Sequence, residues 1–130
     1  MITDPPYKIL IVDDNDDILS TFCEFFNPVE YSIHTAGNGL DALKKIKRDK
    51  KAFDVLITDL IMPGIGGVGL ISIIKKEYPK MKIIAMTGWG DQPGSLASEA
   101  KADIVLFKPV DLFKIEKLLV QLLEGHIDKE

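Results

Sequence analysis

Short runs of apolar residues recur along the chain, and most are continuous, with no alternation between apolar and polar positions. Four of them cover residues 9–12, 55–57, 83–86 and 104–107, and a less apolar fifth covers residues 31–36. Continuous apolar runs of this length are typical of strands that are covered on both faces, as in a parallel sheet. We predict five strands, of which the one at residues 31–36 has the weakest pattern.

Helical spacing of apolar residues separates these runs. The predicted helices cover residues 16–26, 39–47, 67–78, 92–100 and 112–123. In the last helix one apolar stripe at helical spacing predicts a core-facing side, formed by Leu112, Ile115, Leu118, Leu119, Leu122 and Leu123. Strand and helix repeat five times, which with right-handed crossovers predicts a parallel α/β sheet with helices on both sides. A length of 130 residues fits one domain with a real core.

Composition excludes several classes of protein. A net charge of −4 and a pI near 5.2 give no basic field for phosphate backbones, so we expect no direct nucleic-acid binding. The single cysteine, Cys23, lies in an apolar helical pattern and is predicted to be a small buried residue of a cytosolic protein. The N-terminus lacks the features of a signal peptide, and no apolar run reaches the roughly 18 residues of a membrane span. We therefore expect a soluble, cytoplasmic protein that does not bind membranes.

Candidate chemistry follows the predicted strands. Asp13 and Asp14 follow the first strand, Asp59 the third, Thr87 ends the fourth, and Lys108 follows the fifth. In an open parallel sheet the carboxyl ends of the strands meet at one edge, where ligands bind. Three acids brought together repel one another unless a cation balances them, and Mg²⁺ prefers such hard oxygen ligands. An ammonium and a hydroxyl beside them suit a phosphoryl group in line with an attacking carboxylate.

Each of these residues also has a simpler structural interpretation. The acid pair suits a helix cap, as do Asn15 and Asp16, and Asp59 suits a turn. Taken singly, Lys108 fits a solvated loop lysine, and Thr87 is an ordinary β-branched residue at a strand end. The convergence of all of them at one sheet edge favours the functional interpretation.

A glycine motif suggests a different function, nucleotide binding. Gly64, Gly66 and Gly69 have the G-x-G-x-x-G spacing of a dinucleotide-binding turn. Pro63 precedes the first glycine, and the next predicted strand ends in Thr87, where a ribose-binding acid would be expected. A nucleotide-binding module is therefore the weakest of the functional hypotheses.

The order of the motifs resembles the receiver domains of two-component response regulators over nearly the whole chain. The matching segments are "KILIVDDNDD", "AGNGLDALKKI", "FDVLITDLIMPGIGGVGLI", "IIAMTGWGD" and "AKADIVLFKPVD". The resemblance implies a single flavodoxin-like, doubly wound domain with sheet order 2-1-3-4-5, spanning residues 1–130 with a core at about 7–124. It also implies a phosphorylation-controlled signalling switch that is not an enzyme in the usual sense but promotes its own phosphoryl transfer and hydrolysis.

Residue by residue, the resemblance implies that Asp59 accepts a phosphoryl group from a sensor histidine kinase or a phosphotransfer protein. Asp13, Asp14 and Asp59 match the magnesium site, with Asp14 a direct ligand, Asp13 acting through water, and the backbone carbonyl of Ile61 completing the set. Thr87 matches a residue that contacts the phosphoryl oxygens and relays its arrival.

Lys108 matches the second residue that contacts those oxygens. In the family, the face formed by the fourth helix, fifth strand and fifth helix commonly meets an output protein or a second copy. On the final helix Phe113 and Val120 lie one heptad apart, which predicts either an exposed apolar strip or a wider buried face.

Three positions depart from the family pattern. Val105 stands where a Tyr or Phe usually swings inward, Trp89 occupies a position that tunes hydrolysis, and Gly66 replaces a typical Asp or Asn. The leading alternative from another class is an aspartate-nucleophile, magnesium-dependent phosphatase. Such enzymes place a second acid two residues after the nucleophile as general acid and base, and here that position is Ile61.

Overall fold

The computed structural model describes residues 6–88 and 101–124. The strands are β1 (Tyr7–Val12), β2 (Tyr31–Ala36), β3 (Val55–Asp59), β4 (Lys82–Thr87) and β5 (Ile104–Phe107). The helices are α1 (Asp16–Phe25), α2 (Gly39–Arg48), α3 (Gly67–Glu77) and α4 (Leu112–Glu124). Every predicted strand is present, and three extend beyond their apolar runs. The helix predicted at residues 92–100 and the position of Trp89 lie outside the described residues. The label α4 therefore denotes the helix that the sequence predicts as the fifth.

The sheet is parallel throughout and has the order β2-β1-β3-β4-β5. This is the flavodoxin-like order that the resemblance implies. The chain leaves β1 toward β2 on one side and later returns to place β3 on the other, so the strand order reverses between β1 and β3. Residues that follow these two strands therefore lie at the point where ligands bind in open α/β sheets.

The continuous apolar pattern of the strands follows from helices on both faces of the sheet. Leu10, Val12 and Leu56 pack in a cluster with residues of α2 and α3. Their neighbours Ile9 and Ile11 point to the opposite face and pack with residues of α1 and α4. Because successive side chains of a strand alternate between faces, a strand with two covered faces needs apolar residues at every position.

Asparagines begin the first two helices. Asn15 Oδ1 accepts hydrogen bonds from the backbone N–H groups of Asp17 at 2.9 Å and Ile18 at 3.3 Å, which caps α1. Asn38 caps α2 in the same way, because its Oδ1 accepts from the N–H of Asp41 at 2.8 Å. The interpretation of the preceding acid pair as the cap of α1 is therefore wrong.

Helix α4 buries the predicted stripe. Its buried residues are Ile115, Leu119 and Leu122, and the other members of the stripe are partly buried. Phe113 and Val120 lie outside it and are 70% and 38% exposed. Of the two alternatives that the sequence left open, the structure therefore shows the exposed strip. The Phe113 ring also packs edge to face on the ring of Phe25 in α1, with 5.0 Å between the centroids.

The prediction for Cys23 is wrong, since this side chain is exposed. The buried face of α1 is formed by Leu19 and Phe22 and continues into Phe26 just after the helix. Adjacent residues of a helix point about 100° apart, so Cys23 is turned away from the face that Phe22 occupies. Across residues 6–88 and 101–124, every helix is too short or too polar to span a bilayer.

Candidate functional site

Three carboxylates meet at the strand ends beside the point where the strand order reverses. Asp13 directly follows β1, and Asp59 is the last residue of β3. Carboxylate oxygens of Asp13, Asp14 and Asp59 all lie within 4.8 Å of one another. Asp13 is completely buried, Asp59 is nearly so, and Asp14 is exposed. Hard oxygen donors at this spacing fit one small divalent cation such as Mg²⁺, and buried carboxylates side by side favour a bound positive charge.

One lysine already links two of these acids. Lys108 Nζ lies 2.8 Å from Oδ2 of Asp13 and 2.9 Å from Oδ2 of Asp59. Its side chain is 23% exposed, so it is not the solvated loop lysine that its position alone would suggest. The backbone holds it there, because the Lys108 N–H donates to the carbonyl of Thr87 at 2.7 Å, at the ends of β4 and β5.

Burial and ion pairing have opposite effects on the pKa values of Asp59 and Lys108. Burial raises the pKa of Asp59 above its usual value, while the hydrogen bonds from Lys108 and from the Ile61 N–H act in the opposite direction. For Lys108, burial disfavours the charged form, but the hydrogen bonds to Asp13 and Asp59 prevail and raise its pKa. Lys108 is therefore charged at neutral pH, and its charge favours the ionised form of Asp59 against the effect of burial.

The loop of residues 60–66 returns the chain past Asp59. The Ile61 N–H donates to Asp59 Oδ1 at 3.1 Å, which places the Ile61 backbone beside the acids. Leu60 N–H donates to the Met86 carbonyl at 2.9 Å and Gly67 N–H to the Leu60 carbonyl at 3.0 Å, which closes the base of the loop. Thr87, the residue after Met86, is completely buried at the same edge of the sheet.

Gly64 of the G-x-G-x-x-G segment and Gly67, which is not one of its three glycines, shape this loop. Gly64 has a φ of +78°, a left-handed conformation that side chains rarely adopt. At Gly67, which follows the segment's second glycine, an added Cβ would lie 2.1 Å from the Asp59 carbonyl oxygen, so only glycine lets α3 begin against this strand end. Residues 60–66 separate the strand from the helix, unlike the tight strand-to-helix turn of a dinucleotide site.

Asn15, which the sequence suggests only as a cap, makes a second contact. Its backbone N–H donates to Asp13 Oδ1 at 2.9 Å while its side chain caps α1. Both oxygens of Asp13 are thus occupied by donors, one from Asn15 and one from Lys108. The signal was present in the sequence, since an aspartate two residues before an N–H group commonly forms such a turn.

The sequence of the chain matches one family of known proteins. The family described as the response regulator receiver domain matches residues 9–120. Sporulation initiation phosphotransferase F of Bacillus subtilis (strain 168) is 31% identical over 109 residues, which cover 83% of this chain and 86% of that protein.

Solved structures agree with this assignment. A response regulator receiver domain protein from Clostridium thermocellum superimposes with a TM-score of 0.81 at 29% identity, covering 92% of this chain and 95% of that one. Response regulator protein TrrA from Thermotoga maritima, solved in complex with Mg(2+)-BeF, gives 0.77 at 33% identity, covering 90% and 99%.

Other relatives are much longer than this chain. The transcriptional regulatory protein GlrR of Escherichia coli (strain K12) is 33% identical over 107 residues, which cover 82% of this chain but 24% of that protein. The transcription factor SKN7 of Chaetomium thermophilum, 33% identical over 87 residues, is matched over 67% of this chain and only 11% of its own length. Since the family match spans most of the chain and the acidic site lies where the strand order reverses, the chain belongs to the response regulator receiver domain family.

Proposed function

We propose that residues 1–130, with a core at about 7–124, form a receiver domain that accepts a phosphoryl group on Asp59. The observation that carries the proposal is the position of this carboxylate, nearly buried at the end of β3 between an ammonium and two further acids. The donor is a phosphohistidine of a sensor histidine kinase or phosphotransfer protein. The phosphorylated state controls an output, so the chain acts as a signalling switch.

Magnesium is the proposed cofactor. Its protein ligands would be Asp14, Asp59 and the Ile61 carbonyl, and Asp13 would act through water. The exposure of Asp14 leaves its carboxylate open to a cation, which supports its role as a direct ligand. The Mg(2+)-BeF complex of TrrA, a protein similar to this chain, supports the assignment. When bound, Mg²⁺ supplies positive charge that offsets the acids and the phosphoryl oxygens.

The residues of this chain divide the chemistry as follows. A carboxylate oxygen of Asp59 forms a bond to phosphorus while the P–N bond of the donor breaks, and the electron pair of that bond stays on the imidazole. Lys108, 2.9 Å from Asp59 Oδ2, is within reach of oxygens on the incoming group. Lys108 and Thr87 stabilise the negative charge on those oxygens. Water later attacks the phosphorus, which restores the carboxylate and releases phosphate.

The proposed partner surface combines β5, α4 and the helix predicted at residues 92–100. Its support is the exposure of Phe107 on β5 and of Phe113 and Val120 on α4, although one side of the Phe113 ring packs against α1. An output protein or a second copy of the chain would cover this strip. We propose no nucleic-acid or membrane partner and a cytoplasmic location. The phosphatase alternative gains no support, because Ile61 offers no group for acid or base catalysis.

Incubation with acetyl phosphate followed by intact-mass measurement tests the proposal. We expect the mass of one phosphoryl group to appear in Mg²⁺ and to be absent in EDTA. The adduct should survive acid and be lost in base, as an acyl phosphate would be. Equal labelling with and without Mg²⁺, or no labelling under either condition, would contradict the proposal.

A further inference from the structure

The loop beside Asp59 also touches a helix that carries none of the proposed site residues. Gly39 is the first residue of α2, and Ile65 lies in the loop of residues 60–66. A Cβ added to Gly39 would lie 2.8 Å from the Ile65 carbonyl oxygen, 3.1 Å from its Cβ and 3.2 Å from its Cγ2. The nearest of these atoms belongs to the backbone, so a side chain at position 39 would have to displace the loop or the helix.

The Ile65 side chain lies close to a second helix as well. A Cβ added to Gly69, in the first turn of α3, would lie 3.5 Å from Ile65 Cγ2, an ordinary packing distance. Ile65 is partly buried and packs against the apolar cluster shared by α2 and α3. The middle of the loop is therefore wedged between two helices, with its tightest contact at Gly39.

The ends of the same loop are fixed at the site. The hydrogen bond between Leu60 and Gly67 closes its base, and Gly67 lies directly against the Asp59 backbone. Between these fixed ends the Ile61 N–H donates to the Asp59 carboxylate. In so short a closed loop, a displacement at Ile65 has few backbone torsions in which to dissipate before it reaches Ile61.

We propose that the contact between Gly39 and Ile65 makes the N-terminus of α2 a positioning element of the metal site. The contact fixes the loop so that the Ile61 backbone and the Asp59 carboxylate stay in place for Mg²⁺ and for the incoming phosphoryl group. Gly39 and Ile65 are positioning residues, because they act through the loop and do not touch the metal themselves. This inference rests on the proposed function, since it assigns a support to the same site.

The first test is a matched pair of glycine substitutions. Gly39→Ala introduces the close contact, whereas Gly37→Ala, two residues earlier, places its Cβ where no atom lies within 4 Å. Both changes restrict the unfolded chain in the same way. Calorimetric titration with MgCl₂ should show affinity weakened about tenfold or more in Gly39→Ala, as for other groups that support metal ligands. Gly37→Ala should match wild type.

A second pair loosens the contact, whereas Gly39→Ala crowds it. Ile65→Ala removes the side chain that is wedged between the helices. Ile73→Ala removes the same atoms from another partly buried isoleucine of the same apolar cluster, on α3. Only Ile65→Ala should weaken Mg²⁺ binding and slow labelling by acetyl phosphate, although both should lower the melting temperature. This pair decides the question if Gly39→Ala does not fold.

The outcomes separate this inference from the proposed function. If the wild-type protein neither binds Mg²⁺ nor accepts a phosphoryl group, the proposed function fails and the inference fails with it. If wild type does both while Gly39→Ala and Ile65→Ala match their controls, the contact is packing alone and only the inference is overturned. Selective loss of Mg²⁺ affinity in these two variants supports it.

Discussion

Lys108 Nζ lies 2.9 Å from Oδ2 of Asp59, and the same ammonium contacts a second, completely buried carboxylate at 2.8 Å. One cation thus offsets two acids that come from different strands. The arrangement joins the ends of three strands, since Lys108 follows β5 while its partners lie at the ends of β1 and β3. In a receiver domain the same contact positions a positive charge over the residue that we propose as the acceptor.

Removing this ammonium should destabilise the protein and make it depend on metal. In Lys108→Ala, Asp13 and Asp59 lose their charged partner, and breaking such a pair costs up to roughly 3 kcal/mol, less than for a fully buried pair because Lys108 is partly exposed. Mg²⁺ should recover more stability in this variant than in wild type. Urea unfolding with and without MgCl₂ measures both effects. Lys44→Ala, at an exposed lysine of α2, is the control. Equal unfolding of the two variants would argue against the ion pairs.

Asp14 should determine the response to Mg²⁺. Because a ligand that binds only the folded state adds RT ln(1 + [L]/Kd), about 2.7 kcal/mol at 100 times Kd, wild type should melt at higher temperature in MgCl₂. Asp14→Ala should lose this rise, and without metal it should be at least as stable as wild type because one repulsive charge is gone. Asp16→Ala, at a neighbouring exposed acid, should keep the rise. If both variants respond equally to Mg²⁺, the metal site lies elsewhere.

Gly67 and Gly69 should respond oppositely to alanine. At Gly67 a Cβ would lie 2.1 Å from the Asp59 carbonyl oxygen, so overpacking should destabilise the fold by about 1–3 kcal/mol or more. At Gly69 the nearest atom is 3.5 Å away, and replacing a helical glycine by alanine should stabilise by up to about 1 kcal/mol. Chemical denaturation of the two variants measures both values. Similar stabilities would mean that the start of α3 is not packed tightly against the strand end.

His34 should make the stability fall in mild acid. Burial lowers its pKa below the usual 6.5, Lys8 and Lys45 lower it further, and Asp49 partly opposes them. Since the unfolded chain binds the proton more tightly, the contribution of His34 is fully present above pH 6.5 and is lost as the pH falls through its folded pKa. The urea midpoint of wild type should drop more between pH 7.5 and 5.5 than that of His34→Gln. Parallel drops would contradict the effect of burial.

Much of the fold could be predicted from the apolar pattern because both faces of the sheet are covered. β5 begins and ends where its apolar run does, and the resemblance implied the strand order. The orientation of individual side chains was harder to predict. The apolar pattern of α1 predicts a buried Cys23, but Leu19 and Phe22 occupy the inward face of this helix and Cys23 is exposed.

The candidate site was predictable as a set of strand ends but not as a set of contacts. The sequence placed Asp59 and Lys108 at one edge, since parallel strands end together. The sharing of the Lys108 ammonium by Asp13 and Asp59 depends on the side-chain geometry at the ends of three strands. The wedge of Ile65 against Gly39 depends on where a loop and a distant helix meet, and no local pattern encodes such a meeting.

Mass mapping of the phosphorylated residue tests the central claim most directly. Wild type, Asp59→Asn and Asp16→Asn are incubated with acetyl phosphate and MgCl₂, and their intact masses and peptide masses are measured. Asp16 is an exposed acid at the start of α1, so its variant controls for the loss of one negative charge near the site. We predict one phosphoryl group on wild type and on Asp16→Asn, carried by the peptide that contains Asp59, and none on Asp59→Asn. Labelling of Asp59→Asn to the wild-type level would contradict the account.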